Sequence, residues 1–286
     1  MFEAAFSLLV HAFFAKMLPL LYSKAKSYCR VLLLDNFREA CYNQANLLYS
    51  KENHQMKATT SVLFIGNSYT YLNDMPTAIF AEMGKTLGFD LSVDSITKGG
   101  YTLERHADPS DHCGAQVEAR LTGEKKYDYV ILQEQSVRPA SENAEAFYAA
   151  VRNLTARIRK TGAQPILYAT WGRKEGCQKL EEYGWTTESM TNRLAAAYQT
   201  IGEELDIPVV HVGLAFYEVY MKHPAVNLYK DDLSHPSYEG SYLAALSLFS
   251  TIFDINPDDI SYQGSLAPEV AIVLRDAAKI ANKNRP

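Results

Sequence analysis

From residue 61 onward, short apolar runs alternate with longer segments of helical periodicity, and this alternation limits the possible fold more than any other feature of the chain. It argues for βαβ units and a parallel sheet. Strands are expected over 61–66, 91–96, 128–133, 165–170 and 208–212. Phe147, Val151, Leu154 and Ile158 fall at helical spacing, as do Leu194, Tyr198, Ile201 and Leu205. Leu243, Leu246 and Phe253, then Val270, Val273, Ala277 and Ile280, mark two final helices. The chain has 286 residues, 47% of them hydrophobic. At roughly 100–200 residues per domain, that is one domain with an extension. The boundaries expected are an extension over 1–57, helical or loosely attached, and a single α/β domain over 58–286.

The first apolar run, Val62 to Ile65, stops abruptly in Gly66-Asn67-Ser68-Tyr69-Thr70. A serine there sits at the carboxyl end of an inner strand, the edge where open α/β sheets place their ligands. Serine alone is a weak nucleophile and needs a base and a group to orient that base. Both stand near the far end of the chain, in Asp231-Asp232-Leu233-Ser234-His235-Pro236. An acid three residues before a histidine can bond one ring nitrogen and leave the other free for the serine proton. Ser68, Asp232 and His235 form a candidate triad, and Asp231 is the less suitable acid. Donors for an oxyanion are offered by two more strand ends. One is Lys98-Gly99-Gly100-Tyr101-Thr102, where a glycine lets backbone N–H approach a ligand. The other is Gln133-Glu134-Gln135-Ser136, where period-two alternation puts both glutamines on one face. Either amide could point into the crevice.

Gly-Asn-Ser after the first strand, a glycine after the second, an amide after the third and Asp-x-x-His-Pro in the last loop resemble the SGNH/GDSL hydrolase superfamily. The resemblance covers roughly residue 61 to the end of the chain. It implies a flavodoxin-like three-layer α/β/α fold with a central parallel five-stranded sheet, and esterase or lipase activity on acyl or acetyl groups. It further implies that Ser68 is nucleophile, His235 general base and Asp232 its orienter. The Ser68 N–H, the Gly100 N–H and the amide of Gln133 or Gln135 would make the oxyanion hole. Gly100 is preferred to Gly99 because Gly-x-Thr resembles the family's second block. Two departures stand out. Asn67 replaces the usual aspartate of Gly-Asp-Ser, and Gln-Glu-Gln-Ser replaces the usual Gly-x-Asn-Asp. The run Leu-Gln-Glu-Gln-Ser resembles a branch described only as a domain of unknown function.

The remaining readings narrow the class. A net charge of −5 with no basic run argues against nucleic acid. Four scattered cysteines without a Cys-x-x-Cys pair read as reduced, buried thiols. No metal or cofactor is expected. Residues 4–22 are apolar but broken by His11, Lys16 and Pro19, short of the uninterrupted span of about 18 apolar residues that a membrane helix needs. Glu3 stands where a secretory leader normally carries basic residues. A cytoplasmic enzyme is therefore expected, with export as the alternative, and Met56 is the expected natural start. A long loop over 171–191, carrying Trp171, Arg173, Lys174 and Trp185, is expected to wall the pocket. Asn67, Tyr69 and Trp171 are the candidate substrate-binding residues, with Asn67 and Tyr69 also supporting the nucleophile turn. The substrate class expected is a small-molecule or carbohydrate ester. Two alternatives are a catalytically silent carbohydrate-binding module on the same fold and a metal-dependent phosphoesterase built on Asp231, Asp232, His235 and a distant histidine. The α/β-hydrolase elbow Gly-x-Ser-x-Gly is absent, since Thr70 holds its last position.

Overall fold

The structure, a computed structural model, describes residues 59–281. The extension expected over 1–57 and the start expected at Met56 lie outside the described residues. Five strands, β1 (Thr60–Gly66), β2 (Leu91–Thr97), β3 (Tyr129–Leu132), β4 (Gln164–Tyr168) and β5 (Val209–Val210), form one sheet in the order β2-β1-β3-β4-β5. All four pairings are parallel. This is the flavodoxin-like order, with β1 and β3 adjacent where the winding reverses. The expected strand over 208–212 is trimmed to two residues because His211 and Val212 already open a helix.

Ten helices occur among the described residues: α1 (Ser68–Tyr71), α2 (Ala81–Thr86), α3 (Leu103–Ala107), α4 (His112–Thr122), α5 (Ala144–Lys160), α6 (Gln178–Tyr183), α7 (Thr187–Leu205), α8 (Val212–Lys222), α9 (Tyr238–Phe253) and α10 (Pro268–Ala281). A π-helical turn, Met75–Phe80, leads into α2. Strand alternation divides the core into two layers. Val62, Phe64, Ile131, Ile166 and Val210 pack under α8, α9 and α10. Leu63, Ile65, Val130, Leu132 and Leu167 pack under α4, α5 and α7. Because both faces are covered, β1, β3 and β4 carry near-continuous apolar runs, whereas the edge strand β2 alternates apolar and polar residues and is mostly half-buried. On α5 the stripe expected from periodicity, Phe147, Val151, Leu154 and Ile158, is wholly buried. No helix among the described residues is long and apolar enough to cross a membrane.

The segment expected to be one loop over 171–191 is instead partly helical. Gly184 ends α6 at φ 63°. Thr186 then caps α7, its side chain accepting from the Ser189 N–H while Ser189 bonds back to the Thr186 N–H. This reciprocal cap starts a helix within a run of polar residues, where hydrophobic spacing gives no signal.

Candidate active site

The loops leaving the carboxyl ends of the strands meet over one cavity of about 180 Å³. Its lining includes Ser68, Gly100, Gln135, Ser136, Arg173 and His235. Ser68 Oγ lies 2.8 Å from His235 Nε2, although the two residues are 167 positions apart in the chain. On the other side of the ring, His235 Nδ1 is hydrogen-bonded to Asp232 Oδ2. With the Nδ1 proton held by a carboxylate, Nε2 is left as the acceptor.

The three-residue spacing works because Asp232 serves two functions at once. Its Oδ1 accepts the N–H groups of Ser234 at 3.0 Å and His235 at 2.9 Å, the short-range turn that aspartate favours. Oδ2 is then aimed at the imidazole. Burial opposes ionisation of this carboxyl, but the bonds from the His235 ring, the His235 N–H and the Ser234 N–H outweigh it and hold the group below the usual carboxylate range. Leu233 takes up the sharp bend with φ at 57°, a conformation uncommon for a side chain with Cβ. Its carbonyl is held by the Lys174 N–H at 2.9 Å.

Around Ser68 the turn is fixed by Asn67 and Gln133. The Asn67 N–H donates to Gln133 Oε1 at 2.9 Å, its Oδ1 caps α1 through the Tyr69 N–H at 3.1 Å, and its Nδ2 donates to the Tyr101 carbonyl at 2.9 Å. The backbone and side chain of this one residue thereby tie together the loops after β1, β2 and β3. An aspartate at this position accepts equally well but has no N–H for Tyr101. Gln133 Oε1 also accepts from Thr70 Oγ1 at 2.9 Å, and its Nε2 donates to the Glu134 carbonyl. Gly66 is glycine because a Cβ there would stand 2.6 Å from Gln133 Oε1 and 2.6 Å from Thr70 Oγ1.

The structure separates the two candidate glutamines. Gln133 is buried with both ends of its amide engaged beneath the turn, and it does not line the cavity. Gln135 does line it. Its Oε1 accepts from the Val137 and Arg138 N–H groups at 2.9 and 3.1 Å, which turns the amide nitrogen toward Ser136, 3.3 Å away. Gly100 lines the same cavity at φ 69°, and a Cβ there would meet open space. Its glycine answers to backbone conformation rather than crowding. The Ser68 N–H, at the first position of α1, has no partner within that helix.

The expected substrate-binding set is only partly at the cavity. Asn67 and Tyr69 line it, while Trp171 does not. Trp171 is fully buried, stacked between Phe216 at 3.9 Å and Tyr69 at 4.6 Å, and its Nε1 donates to the Ser234 carbonyl at 3.1 Å. A large apolar ring with one donor finds that donor a partner when buried. Here the partner is the loop that carries His235, so Trp171 holds that loop from below. Tyr69 shares a 2.6 Å hydrogen bond with Ser234 Oγ and meets the His235 ring edge-on at 5.5 Å.

Sequence reasoning left Ser136 and Ser234 without a role, and it placed Arg173 only in a pocket wall. Isolated polar residues past a strand carry no periodicity that would mark them. It also passed over Glu134, a fully buried carboxylate that accepts from the Leu103 N–H through both oxygens, at 3.2 and 3.1 Å, and from the Gln135 N–H at 2.5 Å. Glu134 thereby clamps the segment after Gly100 to the strand end that carries Gln135. Burial pushes its carboxyl up to about 7, against the pull of those N–H groups. Among the described residues no group of three His, Cys, Asp or Glu side chains is placed to hold a metal ion.

No family model matches the chain, and no curated protein does. Solved structures do. A protein of Slackia heliotrinireducens assigned to the SGNH hydrolases is 31% identical, with a TM-score of 0.59 over 68% of this chain and 100% of that one. A DUF4886 family protein from Bacteroides uniformis shares 19% identity, with a TM-score of 0.68 over 78% of this chain and 95% of that one. An acetyl xylan esterase shares 15% identity, with a TM-score of 0.50 over 67% and 99%. The last two are likenesses of fold. The first is close enough in sequence, over enough of the chain, to decide descent: this chain belongs to the SGNH hydrolase superfamily.

Proposed function

We propose that the protein hydrolyses carboxylic esters of small acyl groups through an acyl-enzyme on Ser68. The observation that carries this reading is the Ser68–His235–Asp232 relay, with a hydroxyl 2.8 Å from one ring nitrogen and a carboxylate on the other. Ser68 Oγ attacks the ester carbonyl while its proton passes to His235 Nε2. The oxyanion is met by the Ser68 N–H, the Gly100 N–H and the Gln135 amide. Collapse expels the alcohol, which takes the proton from His235. Water then gives a proton to the same nitrogen as it attacks the acyl-enzyme, and the acid and free Ser68 are released. General-base assistance contributes about 10²–10⁴ in rate, and one oxyanion donor about 10²–10³.

The cavity's size suits an acetyl or other short acyl group, and the acetyl xylan esterase of like fold handles an acyl group of that kind. The decisive experiment pairs wild type with Ser68→Ala on 4-nitrophenyl acetate and labels the wild type with a fluorophosphonate. Loss of turnover by about 10³ or more in a folded variant, with the label on Ser68, is the expected result. A variant that still turns over the ester would reject the assignment.

A further inference from the structure

Beside the cavity that holds Ser68 lies a second, of about 220 Å³, and the two share Gln135 and Arg173 as walls. Arg138 and Lys179 also line the second cavity, and no acidic residue does. For a chain of net charge −5 this is a local inversion of sign. The cations are not equivalent. Arg138 is paired with Glu104 at 2.7 Å and Lys179 with Glu182, but those acids are 58% and 40% exposed, so the pairs are surface contacts of small worth. Arg173 has no carboxylate within ion-pair distance among the described residues. Its Nη2 donates to Ser136 Oγ at 3.1 Å, its Nη1 faces Cys177 Sγ at 3.8 Å, and its Nε is buried without a partner. Burial pushes the Tyr69 hydroxyl up, and the guanidinium lies close enough to the site to oppose that rise in part.

An unpaired, half-buried arginine on the wall between a serine–histidine site and a cationic groove is built to receive an anion. A planar guanidinium binds carboxylate, phosphate or sulfate oxygens in pairs, and such bonds are about twice as strong as neutral ones. We propose that the ester hydrolysed at Ser68 carries an anionic group that binds Arg173, with Arg138 and Lys179 adding field along the groove. This rests on the reading of Ser68 given above and adds the charge of the substrate to it. The anion belongs to the acyl arm or to the alcohol arm of the ester, and each source is tested by its own pair of compounds.

For the acyl arm, mono-4-nitrophenyl glutarate is compared with 4-nitrophenyl butyrate. For the alcohol arm, 4-acetoxybenzenesulfonate is compared with 4-(methylsulfonyl)phenyl acetate. In at least one pair the anionic ester is expected to have a kcat/KM about tenfold or more above its neutral partner. That ratio is expected to fall toward one in Arg173→Gln, recover in part in Arg173→Lys, and shrink as sodium chloride is raised. A ratio of one or less in both pairs, or a ratio untouched by Arg173→Gln, overturns the proposal.

A binding measurement separates this outcome from failure of the Ser68 reading. In Ser68→Ala protein, calorimetry with the glutaric acid mono-4-nitroanilide and the butyric 4-nitroanilide, and with 4-hydroxybenzenesulfonate and 4-(methylsulfonyl)phenol, needs no turnover. At least one anion is expected to bind about tenfold more tightly than its neutral counterpart, with the difference lost when Arg173→Gln is added. Equal or undetectable binding within both pairs overturns the anion site even if Ser68 proves to be the nucleophile.

Discussion

The two edges of the sheet make opposite use of space. At the amino ends of β3, β4 and β5 lies a cavity of about 570 Å³ lined by Tyr129, Gln164, Glu203 and Asp206 among others, and no serine or histidine among the described residues lines it. At the carboxyl ends the cavity is about 180 Å³, yet a serine, a histidine, a glutamine amide, a left-handed glycine and an arginine converge on it. The convergence of polar groups follows the loops rather than the volume. Loops leaving the carboxyl edge of a doubly wound sheet splay apart at the switch point and leave a crevice there. Residues from five separate segments can then meet without disturbing a strand ladder.

If that contrast is functional, substitutions at the two edges should separate by orders of magnitude. Ser68→Ala is expected to remove about 10³ or more of ester turnover, whereas Glu203→Gln on the wall of the larger cavity should leave kcat/KM within about twofold. Comparable losses at both edges would break the comparison. Asp232→Asn comes next, with an expected fall in kcat of about 10²–10⁴, because the amide removes the carboxylate that steadies the imidazolium.

Within the carboxyl edge the two glutamines sharpen the same contrast. Gln135→Ala should lower kcat about 10²-fold, with a stability cost of about 1 kcal/mol because the half-buried Val137 and Arg138 N–H groups lose their acceptor. Gln133→Ala should instead cost about 2–4 kcal/mol of stability, since the buried Asn67 N–H and Thr70 hydroxyl both lose their acceptor. Reversal of these two outcomes would exchange the roles assigned to them. Asn67→Asp, which restores the more common residue of the superfamily's first block, should destabilise by about 1–3 kcal/mol, because the Tyr101 carbonyl loses its donor and faces an acid.

The effect that depends on pH belongs to Glu134. Its carboxyl sits at about 7 in the folded protein against 4.5 ordinarily, so the folded state holds its proton to higher pH than the unfolded chain does. Stability is fully present below about 4.5 and declines as pH rises to about 7, by up to about 3 kcal/mol. Glu134→Gln should flatten that slope, read as urea midpoints at pH 5 and pH 8. A wild type whose midpoint rises over this interval would contradict the assignment.

Much of the fold was legible because its inner strands are buried on both faces. Val62 to Ile65 and the stripe on α5 carry their burial in their composition, and apolar periodicity reports burial directly. The polar stretch over 171–191 was read as a loop because its helices are started by a cap at Thr186 and stopped by Gly184, and neither needs an apolar pattern. Trp171 was expected at the pocket for its size and place in the chain. Its indole lies beneath the pocket, since a ring that stacks on both faces and satisfies its N–H is more stable buried than lining a polar cavity.

Local sequence by itself determined the parallel sheet, the serine at the end of the first core strand and the Asp232–His235 spacing, because each depends on neighbours within a few residues. Which glutamine faces the cavity, why Asn67 stands where an aspartate is usual, and that no acid among the described residues pairs with Arg173 were decided only by the tertiary structure. Those facts depend on hydrogen-bond partners drawn from strand ends far apart in the chain, and a partner's identity is a property of the meeting place rather than of either segment.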